Sequence, residues 1–560
     1  MRWLGLLLVV AAPAWAQDEP SLPELKGEAR ARLQNLDQHL EDWDLEGAKR
    51  ELAALEAIAP ADVAPVAYYR GRVAFEEGRY EDAVAQFKLA GLSDRPGGWV
   101  RLANETQGIV GSMQVAESAH FVVRYPAGRD AVLVPWALEA LEAAHAAMLR
   151  DLGYAPPGKT RVEFVSSAAE LATVSTLSRD AIRTTGTIAI CKFNKLMVTS
   201  PRSVLQGYEW LDTLSHEYVH LVVSKKSRNT VPIWMHEGLA KYLESRWRGR
   251  SSRDMSPSTL ALLGSRVRSN QLVPFEKMHP SMALLPTAED AATAFAEVYF
   301  ALKLIDAEGG PRALERLLTT MASGVSDRAA VEQVMKRRWP EFERAWMASL
   351  RNQPYPKGLI PPSSHERKQL TDGSQPRKKG REVSFGDFHE VKETDARRAA
   401  HLGELMRERR HMTVAAEFYG RAHKLVGDRY ESVSNKYALT LLELERFEEA
   451  AKVLEGSLAL HPGSVSTNVH LGRIYLRGRR WQAAKDAYLE ALSVNPFDPE
   501  IAVGLSAAAA ALGDAALQTR ALEMAKTLLE VDDAALAGVV AAFTRAPETA
   551  FVDLDEPDGG

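Results

Sequence analysis

The chain has 560 residues, more than a single hydrophobic core usually supports, so we expect two to four domains. Its hydrophobic content of 46% is typical of a globular protein. The 69 basic residues nearly balance the 74 acidic ones, and the net charge of -5 gives no general electrostatic reason to bind nucleic acid or an anionic membrane. We therefore expect partners to be recognised by local sites.

The N-terminus has the pattern of a secretory signal peptide. Arg2 precedes an apolar run over residues 3–13, a small-residue cleavage pattern occupies residues 14–16, and polar residues follow. This predicts a cleavable signal peptide over residues 1–16 and a mature protein that is periplasmic or secreted. The run is too short to cross a bilayer, and because no other stretch of about 18 uncharged apolar residues is evident, we expect no membrane span.

The chain contains one cysteine, Cys191. An internal disulfide is therefore excluded, even in an oxidising compartment. We expect Cys191 to be a small buried hydrophobic residue.

A repeat with a period of 34 residues lies near the C-terminus. Small, aromatic and proline positions recur in register: Phe447, Ala450, Leu454, Ser457 and Pro462 are followed by Trp481, Ala484, Tyr488, Ala491 and Pro496. This period and pattern are those of tetratricopeptide repeats, which are antiparallel helix pairs. We expect about four pairs over residues 395–535, with residues 536–560 as a C-terminal tail.

A shorter set of similar helices is predicted after the signal peptide. Leu45, Ala48 and Leu52 are followed, at a spacing of 35, by Tyr80, Ala83 and Phe87. Residues 22–92 then form two tetratricopeptide-like pairs, and an ordinary amphipathic helical bundle remains the alternative.

The middle of the chain alternates between strand and helix patterns. Apolar alternation and β-branched residues predict strands at residues 120–125, 161–166, 187–190 and 196–199, the last two as a hairpin. Apolar periodicity predicts helices at residues 131–152, 207–225, 234–247 and 288–306. A linker rich in proline, serine and charge is expected over residues 354–393, and it predicts a boundary that few contacts cross. Its basic cluster at residues 377–381 either contacts an acidic partner or is simply solvated.

The residues that indicate chemistry begin with the pentapeptide from His216 to His220. The two histidines are four residues apart on a mostly apolar segment, so a helix presents them on one face, one turn apart. Two imidazoles placed in this way can bind one zinc ion. Glu217 lies between them, where a carboxylate can take a proton from a water activated by the metal.

Zinc requires a further protein ligand, and the next predicted helix carries an acidic residue near its start. That helix includes Pro232, Trp234, Glu237 and Gly238, and the glycine permits close approach of a neighbouring helix. An acidic residue from an adjacent antiparallel helix can complete a three-residue zinc site.

These motifs resemble those of the gluzincin metallopeptidases, in particular the peptidase MA-like domains that occur with tetratricopeptide repeats. The likeness rests on shared motif residues and covers roughly residues 115–350: His216, Glu217, His220, Pro232, Trp234, Glu237, Gly238, Ala240 and Tyr242. It implies an α+β zincin-like metallopeptidase domain flanked by all-α repeats. It also implies His216, His220 and Glu237 as ligands of one zinc ion, Glu217 as general base, and an edge strand near residues 186–192 that binds extended peptide.

The sequence departs from this pattern next to the proposed ligands. Lys241 stands where relatives have an acidic residue that supports a zinc-bound histidine. Asp212, Glu244 or a backbone carbonyl could take that role, and Glu244 is also an alternative third ligand. Tyr299 lies where relatives often place an oxyanion donor, although a core aromatic is the other interpretation. His236 is a further possible donor, or it packs locally.

The sequence thus predicts an exported, zinc-dependent metallopeptidase whose repeats recruit a peptide or protein partner. A different class remains open, namely a repeat scaffold with a metal-binding but catalytically idle domain. Hydrolysis of a non-peptide amide is a third possibility, and endopeptidase and aminopeptidase activities are both compatible with the sequence.

Overall fold

The computed structural model describes residues 25–60, 63–205, 207–251, 254–279, 281–282, 285–356 and 388–545. The predicted signal peptide, most of the linker with its basic cluster, and the last 15 residues lie outside these ranges. The fold is mostly helical with one small mixed sheet, which confirms the predicted fold class.

From residue 25, where the described part of the chain begins, five α-helices precede the sheet: α1 Gly27–Glu41, α2 Leu45–Glu56, α3 Ala64–Glu76, α4 Tyr80–Leu89 and α5 Trp99–Val110. The first four form two antiparallel pairs, α1 with α2 and α3 with α4. Their apolar faces enclose an aromatic core in which Phe75 packs edge-to-face against Tyr80 and Trp99. The sequence pattern did not indicate α5.

The sheet has five strands: β1 Gln114–Glu117, β2 Phe121–Tyr125, β3 Thr160–Val165, β4 Ala189–Lys192 and β5 Lys195–Thr199. Its order is β1-β2-β3-β5-β4, with β2, β3 and β5 parallel and both edge strands antiparallel to their neighbours. Phe193 and Asn194 join β4 to β5, each with a φ of 53°, as a type I′ hairpin turn requires. Packing of its ring into the N-terminal aromatic core holds Phe193 in this unusual backbone conformation.

The described residues of the central domain form ten further α-helices: α6 Val134–Leu152, α7 Ala168–Ser175, α8 Arg179–Thr185, α9 Trp210–Ser227, α10 Ile233–Leu243, α11 Pro257–Arg268, α12 Ala288–Glu308, α13 Ala313–Ala322, α14 Asp327–Met335 and α15 Trp339–Arg351. Helix α9 lies at the centre, where it packs against α6, α10, α13 and strands β4 and β5. Gly238 allows α10 to approach α12, because a Cβ there would lie 2.6 Å from the Leu302 side chain.

Among the described residues, the segment Arg129–Leu152 is long and apolar enough to cross a membrane by length and composition. It includes α6, which packs on α9 and β2, and 56% of its most apolar window is buried inside the fold. A core helix of a folded domain has the same properties.

Between residues 388 and 545, the described part of the chain after the linker, there are nine α-helices: α16 Thr394–Glu408, α17 Met412–Val426, α18 Glu431–Glu443, α19 Phe447–Leu460, α20 Val465–Arg477, α21 Trp481–Leu492, α22 Pro499–Leu512, α23 Ala515–Leu529 and α24 Asp533–Arg545. The first eight form four antiparallel pairs. Within the third pair the repeat pattern explains the packing, because Tyr488 lies so close to Gly472 that a Cβ there would be 2.6 Å from its ring. Helix α24 occupies the start of the segment that was expected to be a tail.

The expectation that few contacts cross the linker was wrong. One continuous hydrophobic core includes residues of the central domain, among them Trp210, and residues of the C-terminal array, among them Tyr488 and Ile501. Surface ion pairs, such as Arg129 with Glu530, add to this interface. The array is therefore packed onto the central domain, although the linker between them is long.

A fully buried polar cluster joins the N-terminal helices to the sheet. Lys195 on β5 donates to Glu163 on β3 at 2.6 Å, and the Tyr80 hydroxyl lies 2.8 Å from both side chains. All three residues are almost completely excluded from solvent. Buried ionic groups of this kind are stable only when their hydrogen bonds are satisfied.

We expect Tyr80→Phe to destabilise the folded chain by about 1–3 kcal/mol, because Lys195 and Glu163 each lose a partner that water cannot replace. The measurement is chemical denaturation followed by tryptophan fluorescence. Tyr355→Phe is the control, since that hydroxyl donates to the Leu350 carbonyl in a less buried position. Equal midpoints for the two variants would contradict the assigned role of the cluster.

Candidate metal centre

Helix α9 places His216 and His220 on one face, as their spacing predicts. Their Nε2 atoms lie 3.1 Å apart, and both rings turn their Nδ1 atoms away from each other toward other partners. The helix is buried on almost every side, so packing on the sheet and on neighbouring helices holds its orientation. Two imidazole nitrogens are thus directed at one point.

Glu237, near the start of α10, completes a triangle with the two histidines. Its Oε2 atom lies 3.5 Å from His216 Nε2 and 3.6 Å from His220 Nε2. Within the part of the chain that the structure describes, this is the one group of His, Cys, Asp or Glu residues close enough to hold a metal ion.

These separations can be compared with the geometry that zinc requires. Ligand atoms about 2.0–2.1 Å from a tetrahedral zinc lie about 3.3–3.4 Å from one another. The observed edges of 3.1, 3.5 and 3.6 Å are close to that value. Two imidazoles and one carboxylate are also a common ligand set of catalytic zinc sites, which keep a fourth position open. The residues present therefore fit a zinc ion.

The electrostatics of the three groups are mutually reinforcing. Burial alone would raise the pKa of the Glu237 carboxyl, but His220 and His216 outweigh burial and hold that pKa well below its usual range. Burial alone would lower the pKa of His216, but hydrogen bonds with Glu237 and Glu244 raise it to about 10. Glu237 is therefore ionised, and a bound cation would take the place of the proton on His216.

The Nδ1 atom of His216 is held by Glu244, at 2.9 Å from its Oε2. Lys241 donates to the other oxygen of Glu244, and it helps to keep the pKa of that buried carboxyl low. Of the alternatives that the sequence left open, Glu244 thus supports a ligand rather than forming part of the triangle. Asp212 instead accepts hydrogen bonds from Trp247 and Arg248.

His220 has a corresponding partner that the sequence did not reveal. Its Nδ1 lies 2.7 Å from Nδ1 of His236, and Nε2 of His236 lies 3.1 Å from the Ser224 hydroxyl. Burial, with a smaller contribution from His220, lowers the pKa of His236 to about 3. A neutral His236 can accept from His220 and donate to Ser224. In the sequence, the one sign of this role was the position of His236 directly before Glu237.

Glu217 lies between the histidine pair and the edge of the sheet. The residue is 7% exposed, and burial, partly offset by His220 and His216, raises the pKa of its carboxyl. Its carboxylate accepts a hydrogen bond from the backbone N–H of Cys191 on β4. Cys191 is itself buried, and burial raises the pKa of its thiol well above the usual value.

The register of β4 determines which backbone groups face this site. The backbone N–H of Thr199 donates to the Ile188 carbonyl. Because hydrogen-bonded and non-hydrogen-bonded residue pairs alternate along an antiparallel hairpin, Ala189 and Cys191 occupy positions that are not hydrogen-bonded to β5. Their N–H and C=O groups point away from β5, at the edge of the sheet. The N–H of Cys191 is directed at Glu217, and Ala189 lies two residues along the same edge.

The contacts of Tyr299 are with residues other than the three proposed ligands and Glu217. Its hydroxyl donates to Asp254 at 2.5 Å, and its ring packs against the rings of Tyr242 and Phe300. Of the two interpretations of Tyr299, these contacts favour the core aromatic. The sequence alone did not decide between these interpretations, because a single residue on a long helix can face any of several neighbouring elements.

The contact between His220 and His236 yields a prediction. We expect His236→Ala to weaken zinc binding by about 10- to 100-fold, because the ligand loses the acceptor that orients its ring. His236→Asn supplies an amide that can accept and donate in the same way, and it should retain most of the affinity. Competition with a chelator measures both, with His423→Ala in the C-terminal array as control. Unchanged affinity in His236→Ala would refute the role of this contact.

Comparison with known proteins identifies two regions of the chain. Residues 179–352 match the family model of the peptidase MA superfamily, and residues 441–512 match a tetratricopeptide repeat model. No curated protein matches the chain.

Solved structures of yeast LTA4 hydrolase, native and in complex with bestatin, show a distant similarity, with 12% and 13% identity and a TM-score of 0.29 each. Each alignment covers 78% of this chain and 67% of the matched chain. The two family matches contain the helices α9 and α10 and the repeats α19 to α22, respectively. Residues 179–352 of this chain are thus a peptidase MA superfamily domain, and residues 441–512 belong to a tetratricopeptide repeat region.

Proposed function

We propose that this protein is an exported, zinc-dependent metallopeptidase in which His216, His220 and Glu237 hold one zinc ion and Glu217 is the general base. The observation that carries the proposal is the triangle of ligand atoms with 3.1–3.6 Å edges, next to a buried carboxylate on the same helix. When bound, zinc would supply Lewis-acid chemistry, lowering the pKa of water and polarising the scissile carbonyl.

Glu217 is suited to proton transfer by its surroundings. A general base works best with a pKa near the working pH, and burial raises the pKa of this carboxyl in that direction. One carboxylate oxygen would take the proton of the attacking water, and the same group would return it to the nitrogen of the leaving amine. The N–H of Cys191 would orient the carboxylate during this transfer.

The edge of β4 is the proposed binding site for the substrate. An extended peptide that adds to this edge would pair with the outward backbone groups of Ala189, two residues from the group that contacts Glu217. Because the pairing involves the backbone, it would give affinity with little selectivity for side chains. Selectivity for a natural substrate would then come from elsewhere in the chain.

The C-terminal repeats are proposed to supply that selectivity. Stacked helix pairs present an extended concave surface that binds peptides or proteins. The signal-peptide pattern of residues 1–16 supports export, which would place the activity in the periplasm or outside the cell. N-terminal sequencing of the secreted chain tests the export proposal, and we expect the mature protein to begin at Gln17.

The sharpest test of the chemistry is Glu217→Gln, which removes the base and leaves every proposed ligand in place. We expect this variant to bind zinc as wild type does and to lose about 10²- to 10⁴-fold in turnover. The assay is hydrolysis of an unstructured protein such as casein, with zinc content measured on the same samples. Glu289→Gln, an exposed carboxylate of the same domain, is the control.

His216→Ala should behave differently, because deletion of a ligand lowers zinc affinity first and activity as a consequence. Added zinc should partly restore this variant and should not restore Glu217→Gln. Hydrolysis that persists in Glu217→Gln would refute the mechanism. A catalytically idle scaffold would show no difference between wild type and Glu217→Gln.

A further inference from the structure

The start of α9 depends on contacts from outside its own domain. The first N–H groups of a helix have no partner within the helix, and Glu209, which precedes α9, makes no side-chain cap. The backbone N–H groups of Tyr208 and Trp210 donate instead to the carbonyls of Val494 and Ser493, at 3.1 and 3.2 Å. The turn between α21 and α22 of the C-terminal array therefore provides an acceptor for the first N–H of α9 and another for the N–H of Tyr208, two residues before the helix.

The side chain of Trp210 makes a third hydrogen bond to the same turn. Its indole Nε1 donates to the Leu492 carbonyl at 3.0 Å, and the residue is fully buried. The chain just before α9 is equally close, because a Cβ on Gly207 would lie 2.2 Å from the Val494 carbonyl oxygen. Helix α9 and the turn at residues 492–495 are thus packed together without intervening space.

A charged contact extends this interface toward the second ligand-bearing helix. Arg248, in the short segment after α10, forms a two-pronged pair with Asp212 on α9, at 2.9 and 3.1 Å. Its guanidinium also lies 3.8 Å from Glu490 on α21. Asp212 is one helical turn before His216, so the array contacts α9 directly and, through Arg248, the segment that follows α10.

We propose that the C-terminal array is part of the framework of the zinc site, with Trp210 as the positioning residue. The turn at residues 492–495 fixes the start of α9, and through this helix it fixes the direction of His216 and Glu217. The inference rests on the proposed function and deepens it, because it gives the array a regulatory role besides recruitment. A partner that shifts this turn on binding would change zinc affinity, and zinc would change partner affinity by the same factor.

The first test compares two tryptophan variants of the full chain. Trp210→Phe removes one buried hydrogen bond to a backbone carbonyl and retains an aromatic ring. Trp346→Phe is the matched control, since Trp346 is also buried and its Nε1 donates to the Glu297 carbonyl at 3.2 Å. We expect Trp210→Phe to weaken zinc binding about three- to tenfold, less than the about 10- to 100-fold typical of a direct contact to a ligand. It should also speed amide hydrogen exchange in the first turns of α9, whereas Trp346→Phe should change neither.

The second test uses two glycines with positive φ, at 66° for Gly207 and 74° for Gly158. Alanine strains the backbone at both positions, but only at Gly207 would its Cβ push the array away from α9. We expect Gly207→Ala to weaken zinc binding more than Gly158→Ala does. Equal effects in these two variants, or unchanged zinc affinity in Trp210→Phe, would overturn the proposal. A wild-type chain that binds no zinc would instead overturn the proposed function, and hydrogen exchange in α9 would then decide on the positioning role.

Discussion

The convergence of two imidazoles and a carboxylate inside a packed core is the constraint on which the rest of this structure depends. His216, His220 and Glu237 come from two helices, and their ligand atoms are separated by only 3.1–3.6 Å. In the unfolded chain these polar groups are solvated by water. Their burial costs free energy, which hydrogen bonds with neighbouring residues must offset. The surrounding fold can be understood as the means of holding α9 and α10 in this relation.

Two series of side-chain hydrogen bonds stabilise the candidate metal centre, and each begins at the Nδ1 atom of a histidine. One runs through Glu244 to Lys241, and the other runs through His236 to Ser224. They orient the rings so that both Nε2 atoms face Glu237. The two series differ, since one contains the ion pair between Glu244 and Lys241 and the other leads to the uncharged imidazole of His236 and the Ser224 hydroxyl.

The parts that could be predicted from sequence are those with a local signal. Helical spacing placed His216 and His220 on one face of a helix, and strand patterns located β2 and β3 to within one residue. Strand β1 was not predicted, because it is a short edge strand, mostly exposed, whose residues do not alternate between buried and exposed positions. The support from Glu244 and His236 depends on how α10 is rotated against α9, which sequence spacing does not define.

The docking of the array was missed for a related reason. Tyr488 and Ala491 are pattern residues of the repeat itself, yet they also belong to the core shared with Trp210. Residues that satisfy two interfaces carry no separate signal in the sequence. The long linker was therefore interpreted as a boundary, although the flanking domains share a core.

The metal content of the purified full-length chain tests the central claim most directly. Elemental analysis after exhaustive dialysis should give one zinc per chain for wild type, because the described residues contain one suitable ligand group. The same preparation of His220→Ala should retain far less. A wild-type chain without zinc, or tight zinc binding that survives His220→Ala undiminished, would contradict the account.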